Sequence, residues 1–262
     1  VTTLERLKSS GKYLWLITNS DYKYTKVIMD YAFNPFLKNS SSWNNLFDVV
    51  VTFSRKPYFF TNPKQTFLQV DPTSGLMSNT EGPYRNEIFQ FGNANELERE
   101  FKIAGDQILY LGDHIYGDIL TLKKACNWRT GLIIEELALE VTALKNSHTL
   151  RDELNRLMIQ KNKLEEKLNS NLDSKVSPND NNILHEQIDS LDAQMKKLIV
   201  EINAFFNPYW GEMMRAGAEI SRFAGQVEKY ACIYMSKVSD LDHYSPRTYF
   251  RPPQKQLPHD LD

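Results

Sequence analysis

The stretch YLWLITNS, residues Tyr13–Ser20, decides how the fold is read. Tyr13–Thr18 is a short apolar run without polar alternation, the pattern of a strand buried on both faces. Thr18-Asn19-Ser20 breaks the run. Asp21 then stands where it can cap a helix with apolar positions Val27, Ile28, Tyr31 and Phe33, stopped at Asn34-Pro35. Working outward, Phe47–Phe53 (FDVVVTF) reads as a second buried strand, Gln107–Leu111 (QILYL) as a third and Arg129–Ile134 (RTGLII) as a fourth. Helical segments fall over Asn95–Ala104 and Gly117–Ala125. Phe67–Val70 and Leu76–Asn79 flank the turn Asp71-Pro72-Thr73-Ser74-Gly75 as a hairpin inserted in the series. Strand–helix–strand units of this length predict an α/β, Rossmann-like core with a parallel sheet and helices on both faces.

Beyond Glu135 the period changes. Leu150, Leu154, Leu157, Leu164 and Leu168 follow heptad spacing, with Lys161 at one seam position. Leu184, Ile188, Leu191, Met195, Leu198, Ile202 and Phe205 repeat it, and the Asn- and Ser-rich segment Asn169–Asn182 between them has loop chemistry. Two heptad helices joined by one loop predict an antiparallel helical hairpin, a structural arm or an oligomer contact. Gly211–Ser236 again shows helical periodicity, and the tail from Ser245 is expected to be irregular, pinned against the body or frayed. The expected division is an α/β core over 1–135, a hairpin arm over 136–210, and a C-terminal helix and tail over 211–262.

Composition narrows the function classes. Across 262 residues, 31 Lys and Arg oppose 33 Asp and Glu for a net charge of −2, so nothing draws the whole molecule to nucleic acid or an anionic membrane. No apolar run approaches the roughly 18 residues of a membrane helix, and the N-terminus has no signal-peptide pattern. Cys126 and Cys232 lack metal-site spacing and fit a reducing compartment as buried thiols. The expectation is a cytoplasmic protein without nucleic-acid or membrane partners. Val1 is not an initiator Met, and the first strand follows within a dozen residues, which predicts the later part of a longer chain.

In an open parallel sheet, ligands bind beyond the carboxyl ends of the strands. The first strand ends in Thr18-Asn19-Ser20, donors beside a helix start and a natural phosphate seat. Arg55-Lys56-Pro57 follows the second strand with two cations. Gly112-Asp113-His114-Ile115-Tyr116-Gly117-Asp118 follows the third with two acids, the group type Mg²⁺ prefers. Taken singly, these are a turn and cap, a solvated loop, and an acid on a helix dipole. Together they are donors for phosphate, a cation to neutralise it and acids for a metal, the equipment of phosphoryl transfer.

LITNSDYKYT (Leu16–Thr25), SRKPYFF (Ser54–Phe60) and ILYLGDHIYGDIL (Ile108–Leu120) resemble the haloacid-dehalogenase superfamily, and within it the cytosolic purine 5′-nucleotidases. The resemblance continues through CNWRTGLIIEEL (Cys126–Leu137) and more faintly RFAGQVEKYACIY (Arg222–Tyr234). It implies that Thr18 holds the transferring phosphate with Asn19 adjacent, that Lys56 neutralises it, that Asp113 is a Mg²⁺ ligand, and that Asp118 positions the metal's shell. It implies hydrolysis of purine nucleoside 5′-monophosphates, IMP- and GMP-like, through an aspartyl-phosphate that can also pass phosphate to another nucleoside. It further implies a homo-oligomer, dimer or tetramer. A regulatory nucleotide site would have Tyr116 stacking on adenine, Lys124 at phosphate, and Gln226 with Tyr230 closing the pocket. The alternative is that Tyr116 is a loop aromatic and Lys124 a solvated helix residue. His114 reads as packing in place of metal ligation, and Trp15 and Trp128 as core aromatics.

The family's nucleophile segment, Asp-x-Asp-x-[Thr/Val] after a buried strand, is absent. Asp240-Leu241-Asp242 and Asp260-Leu261-Asp262 are the chain's Asp-x-Asp pairs, and neither follows a buried strand or carries the downstream Thr. The expectation is that nucleophile, general acid and first strand lie upstream, and that this chain alone does not turn over. The competing reading is a catalytically inactive scaffold of the same fold, with an arm for assembly. Retention of Thr18, Lys56, Asp113 and Asp118 together weighs against it.

Overall fold

The computed structural model describes residues 1–172, 178–252 and 260. Two compact units divide the chain: residues 1–135 with 225–262, and residues 136–224.

The first unit opens with α1 (Thr2–Ser9), β1 (Trp15–Ile17), α2 (Tyr22–Ala32) and α3 (Trp43–Leu46), then β2 (Val49–Thr52) and α4 (Tyr58–Thr61). The hairpin β3 (Phe67–Val70) and β4 (Met77–Asn79) follows, then β5 (Glu87–Phe91), α5 (Ala94–Phe101), β6 (Leu109–Gly112), α6 (Thr121–Ala125) and β7 (Arg129–Ile133). One sheet runs β1-β2-β5-β3-β4, parallel through β1, β2 and β5 and antiparallel where β3 and β4 extend it. The expected sheet is therefore mixed, and β5 is a central strand absent from the sequence reading. In Glu87-Ile88-Phe89-Gln90-Phe91 polar residues interrupt the apolar run.

Val49, Val50 and Val51 are all buried because the sheet is covered on both faces. Val49 and Val51 pack with Phe59, Phe60, Phe89, Leu97, Phe101 and Trp128 on one face. Val50 and Ile88 pack with Leu14, Tyr22, Met29, Trp43 and Leu46 on the other. The helix after β1 is capped as its sequence asks: Asp21 accepts the Tyr24 N–H at 2.9 Å. Its inward residues, however, are Tyr22, Thr25 and Met29, while Val27, Ile28 and Tyr31 are exposed.

β6, β7 and β10 (Ile233–Met235) form a second, parallel sheet in the order β10-β7-β6. Ile108 and Tyr110 share the first sheet's core of Val49, Val51 and Phe89. β1 is the terminal strand of one sheet and β6 of the other. Trp15–Ile17 is accordingly half-buried, where the sequence predicts burial on both faces.

The second unit holds α7 (Leu137–Asn146), α8 (His148–Leu172) and α9 (Pro178–Asn203). α8 and α9 form the expected hairpin, with Leu157, Met195 and Ile202 buried. Phe205 is exposed and Phe206 buried in its place. The helices run further than expected into Asn169–Asn182, because Pro at a first helical position costs no hydrogen bond; residues 173–177 lie outside the described set. Lys161 fits the seam by pairing with Asp192 at 2.6 Å.

The C-terminal helix is shorter than predicted. Gly211–Ser236 contains a two-stranded turn, β8 (Arg215–Ala216) with β9 (Glu219–Ile220), before the helix α10 (Arg222–Tyr230). Gly217, at φ +65°, supplies the reversal. Ile233–Met235 then joins β7 as a strand, because its apolar residues complete a parallel edge. Within residues 245–252 the tail has no helix or strand, and Tyr249 pins it through a hydrogen bond from Arg129. The expected frayed end beyond it falls on 253–259 and 261–262, outside the described residues. Among the described residues, no helix is long and apolar enough to cross a membrane.

Candidate active site

Three loops at the carboxyl ends of β1, β2 and β6 build the site. Thr18 continues the β1 ladder through a 2.9 Å bond from its N–H to the Val51 carbonyl, and its carbonyl accepts from Ser54 N–H at 3.0 Å. Its Oγ1 accepts the Ser20 N–H at 3.1 Å, which leaves the hydroxyl proton free to donate.

The Asn19 side chain reaches the β2 loop. Its Oδ1 accepts from the Lys56 N–H at 2.6 Å and from Ser54 Oγ at 3.0 Å, and its Nδ2 donates to the Lys56 carbonyl at 3.1 Å. The resemblance places Asn19 next to the phosphate; its side-chain amide is engaged by the backbone of Lys56 and by Ser54.

From there the Lys56 side chain spans to β6. Nζ donates to Asp118 Oδ1 at 2.9 Å and to the Tyr110 hydroxyl at 2.8 Å. Asp118 is buried, and Gly112 makes the room: a Cβ on Gly112 would lie 2.5 Å from Asp118 Cβ. The carboxylate also accepts from the Tyr110 hydroxyl at 3.0 Å and, through Oδ2, from the His114 N–H at 3.3 Å. Burial above all, then the charge of Asp118, pushes the Tyr110 phenol well above its ordinary range, so it stays a neutral donor. Sequence reading passed over Tyr110; the only available signal was a hydroxyl-bearing residue at the inward position of ILYLG.

Arg55, next to Lys56, stacks over the rings of Phe91 at 4.8 Å and Phe53 at 5.6 Å. Asp113 is exposed. Among the described residues, no three His, Cys, Asp or Glu side chains gather closely enough to hold a metal ion. Asp118 has both oxygens engaged by protein donors, whereas among the described residues no hydrogen bond or ion pair holds the Asp113 carboxylate. Such a carboxylate fits Mg²⁺, which keeps several waters and takes one or two carboxylates plus phosphate oxygens. His114 is not core: it is exposed, and its Nδ1 accepts the Gly117 N–H at 2.9 Å, capping the turn Ile115–Leu120.

Of the second constellation, the structure joins Tyr116 and Gln226, whose Nε2 donates to the Tyr116 hydroxyl at 3.1 Å. Lys124 is exposed; its neighbour Lys123 is the one that reaches residue 230, donating to the Tyr230 carbonyl at 3.1 Å. Cys126 is partly buried and Cys232 buried, both free thiols. Trp128 is a core residue, and Trp15 packs edge-on against Phe101.

Residues 1–262 match the model of the 5′ nucleotidase family. A 5′-nucleotidase domain-containing protein of Dictyostelium discoideum is 29% identical over 261 residues, covering 98% of this chain and 42% of the relative. 5′-Nucleotidase domain-containing protein 2 of Rattus norvegicus is 27% identical over 263 residues, covering 98% and 44%. Its namesake from Homo sapiens is 29% identical over 266 residues, covering 98% and 46%. The chain thus spans less than half the length of these relatives.

Proposed function

The chain belongs to the 5′-nucleotidase family, and from that premise we propose that it serves the Mg²⁺-dependent hydrolysis of purine nucleoside 5′-monophosphates, IMP- or GMP-like, by haloacid-dehalogenase chemistry. The observation that carries this reading is the Lys56–Asp118 pair, held at 2.9 Å across the ends of two sheets. A surface scaffold has no use for an ion pair in that position. In this reading the free Thr18 hydroxyl proton and the third N–H of Lys56 bind the phosphate oxygens. Asp113 would hold Mg²⁺, whose chemistry when bound is to neutralise charge on the phosphoryl oxygens. Asp118 holds and aims the Lys56 ammonium, and shapes the water shell beside Asp113.

A carboxylate nucleophile attacks phosphorus, the P–O5′ bond breaks, and the departing nucleoside oxygen takes a proton from a general acid. Water then hydrolyses the aspartyl-phosphate, or a second nucleoside accepts the phosphoryl group. Neither nucleophile nor acid is assigned to this chain. Asp240 accepts from Ser236 and Lys237, and Asp242 from Thr3 and Arg6, so that Asp-x-Asp pair is spent on structure. The parallel edges β1 and β6 each lack a neighbour on one side among the described residues. A strand supplied from upstream sequence would fit there, its carboxyl end beneath Lys56, and would carry the nucleophile. The chain alone is then inactive.

The same reading carries a regulatory nucleotide stacked on Tyr116, with Lys124 at its phosphate and Gln226 and Tyr230 closing the pocket, a dimeric or tetrameric assembly, and a cytoplasmic location. The test is phosphate release from IMP and GMP by the longest natural form of the protein. Release that needs Mg²⁺ and is lost in Asp113→Asn is expected. Equal rates in Asp113→Asn overturn the metal assignment, and no release from any purine monophosphate overturns the function.

A further inference from the structure

Tyr110 lies in β6 with its ring packed edge-on against Phe60, centroids 5.5 Å apart, and beside Trp128. Aromatic packing alone would be satisfied by phenylalanine. The hydroxyl is what the core does not explain. A phenol has one proton to give and lone pairs to receive with, and here it gives the proton to Asp118 Oδ1 at 3.0 Å and receives one N–H from Lys56 at 2.8 Å. The same Asp118 oxygen takes a second Lys56 N–H at 2.9 Å. Lys56 Nζ, Tyr110 OH and Asp118 Oδ1 therefore form a closed triangle of hydrogen bonds, and each member fixes the other two.

An unrestrained lysine loses rotamer freedom when it binds an anion, and that loss weakens binding. With two ammonium N–H groups already fixed by a buried phenol and a buried carboxylate, Lys56 is ordered before any ligand arrives. Its third N–H is the one left to point at an anion. Asn19 fixes the backbone of the same residue, so the lysine is held at both ends.

We propose that Tyr110 is a positioning residue: its hydroxyl orders the Lys56 ammonium and the Asp118 carboxylate so that one N–H of Lys56 is presented to a phosphate. That the anion belongs to a phosphomonoester rests on the nucleotidase reading; the ordering of Lys56 does not. Removing the hydroxyl keeps the ring and its packing, yet leaves Asp118 one donor short and Lys56 one acceptor short. Phosphate affinity is expected to fall roughly tenfold, as for a lost hydrogen bond to a charged group.

The experiment follows the Lys56 ammonium by ¹⁵N NMR in the longest natural form of the protein and titrates inorganic phosphate by calorimetry. Wild type should show a Lys56 NH₃⁺ signal protected from exchange, with a slowly exchanging Tyr110 hydroxyl proton close to the Lys56 side chain. Tyr110→Phe should broaden the ammonium signal away and weaken phosphate about tenfold, while Phe60→Leu, which alters packing alone, should leave the ammonium signal in place. An ammonium signal unchanged in Tyr110→Phe overturns the proposal. So does a wild-type Tyr110 hydroxyl proton in fast exchange, a measurement that needs no variant to fold. Failure of wild type to bind phosphate would instead sink the nucleotidase reading, with the ammonium signal still deciding the role of Tyr110.

Discussion

Asn19 holds Lys56 by both backbone groups, accepting its N–H at 2.6 Å and donating to its carbonyl at 3.1 Å. Through these bonds Asn19 is placed to fix the loop that carries Lys56. Asn19→Ala should lower kcat/KM of the intact protein by about tenfold to a hundredfold, the scale of a small misplacement of a reacting group. Hydrogen exchange at the Lys56 amide separates the two roles. It accelerates if Asn19 holds the loop and stays unchanged if Asn19 serves the ligand alone.

Gly112→Ala should disable the site from below. The new methyl would lie 2.5 Å from Asp118 Cβ and 2.7 Å from its Cγ, so Asp118 has to leave Lys56. Overpacking of this kind costs about 1–3 kcal/mol. Thermal denaturation should show that loss, and phosphate release should fall with it. An active Gly112→Ala protein of wild-type stability would refute the arrangement.

In the hairpin arm, Leu157→Ala and Met195→Ala should each destabilise the second unit by about 2–4 kcal/mol, because both side chains are buried in the seam. Leu139→Ala, at a position 74% exposed, should stay within about 0.5 kcal/mol. Urea denaturation of the three variants measures the contrast. Equal effects would mean that the heptad seam is not the packed face.

The elements that were legible were those that bury a continuous apolar run or keep a strict period: β2, β7 and the two heptad helices. β5 was not, because Glu87 and Gln90 interrupt its run, although pairing with β2 and β3 makes it central. The inward face of α2 was equally hidden. Tyr22 and Thr25 are inward with their hydroxyls satisfied by the Pro72 and Asp21 carbonyls, which hydrophobicity does not signal. At the site, the loops could be placed from strand ends. Lys56 and Asp118 could be named singly by family resemblance, but their coupling across 62 residues, and Tyr110 between them, are visible in the structure alone.

Cys126 should be inert toward thiol reagents in the folded protein. Burial, then the nearby Glu98 charge, pushes its thiol up to about 12, so almost no thiolate exists near neutral pH. Maleimide labelling at pH 8 should be slow until denaturant is added, and fast labelling of the native protein would contradict the packing around this residue.

The anchoring of α1 should weaken in acid. Asp242 accepts from Thr3 Oγ1 at 2.7 Å and from Arg6 Nε at 2.9 Å, and these contacts, Thr3 first, hold its carboxyl below the ordinary value. A lowered folded-state value means that the ionised form is favoured by folding. The contribution is therefore fully present above about pH 4, the unfolded range. It is lost as pH falls through the lower, folded value. Asp242→Asn should consequently reduce the melting temperature at pH 7 and make no difference near pH 2, where wild type has lost the same charge. A wild-type-to-variant gap that grows on acidification would reverse the sign and rule out Asp242 as the acid-sensitive anchor of α1.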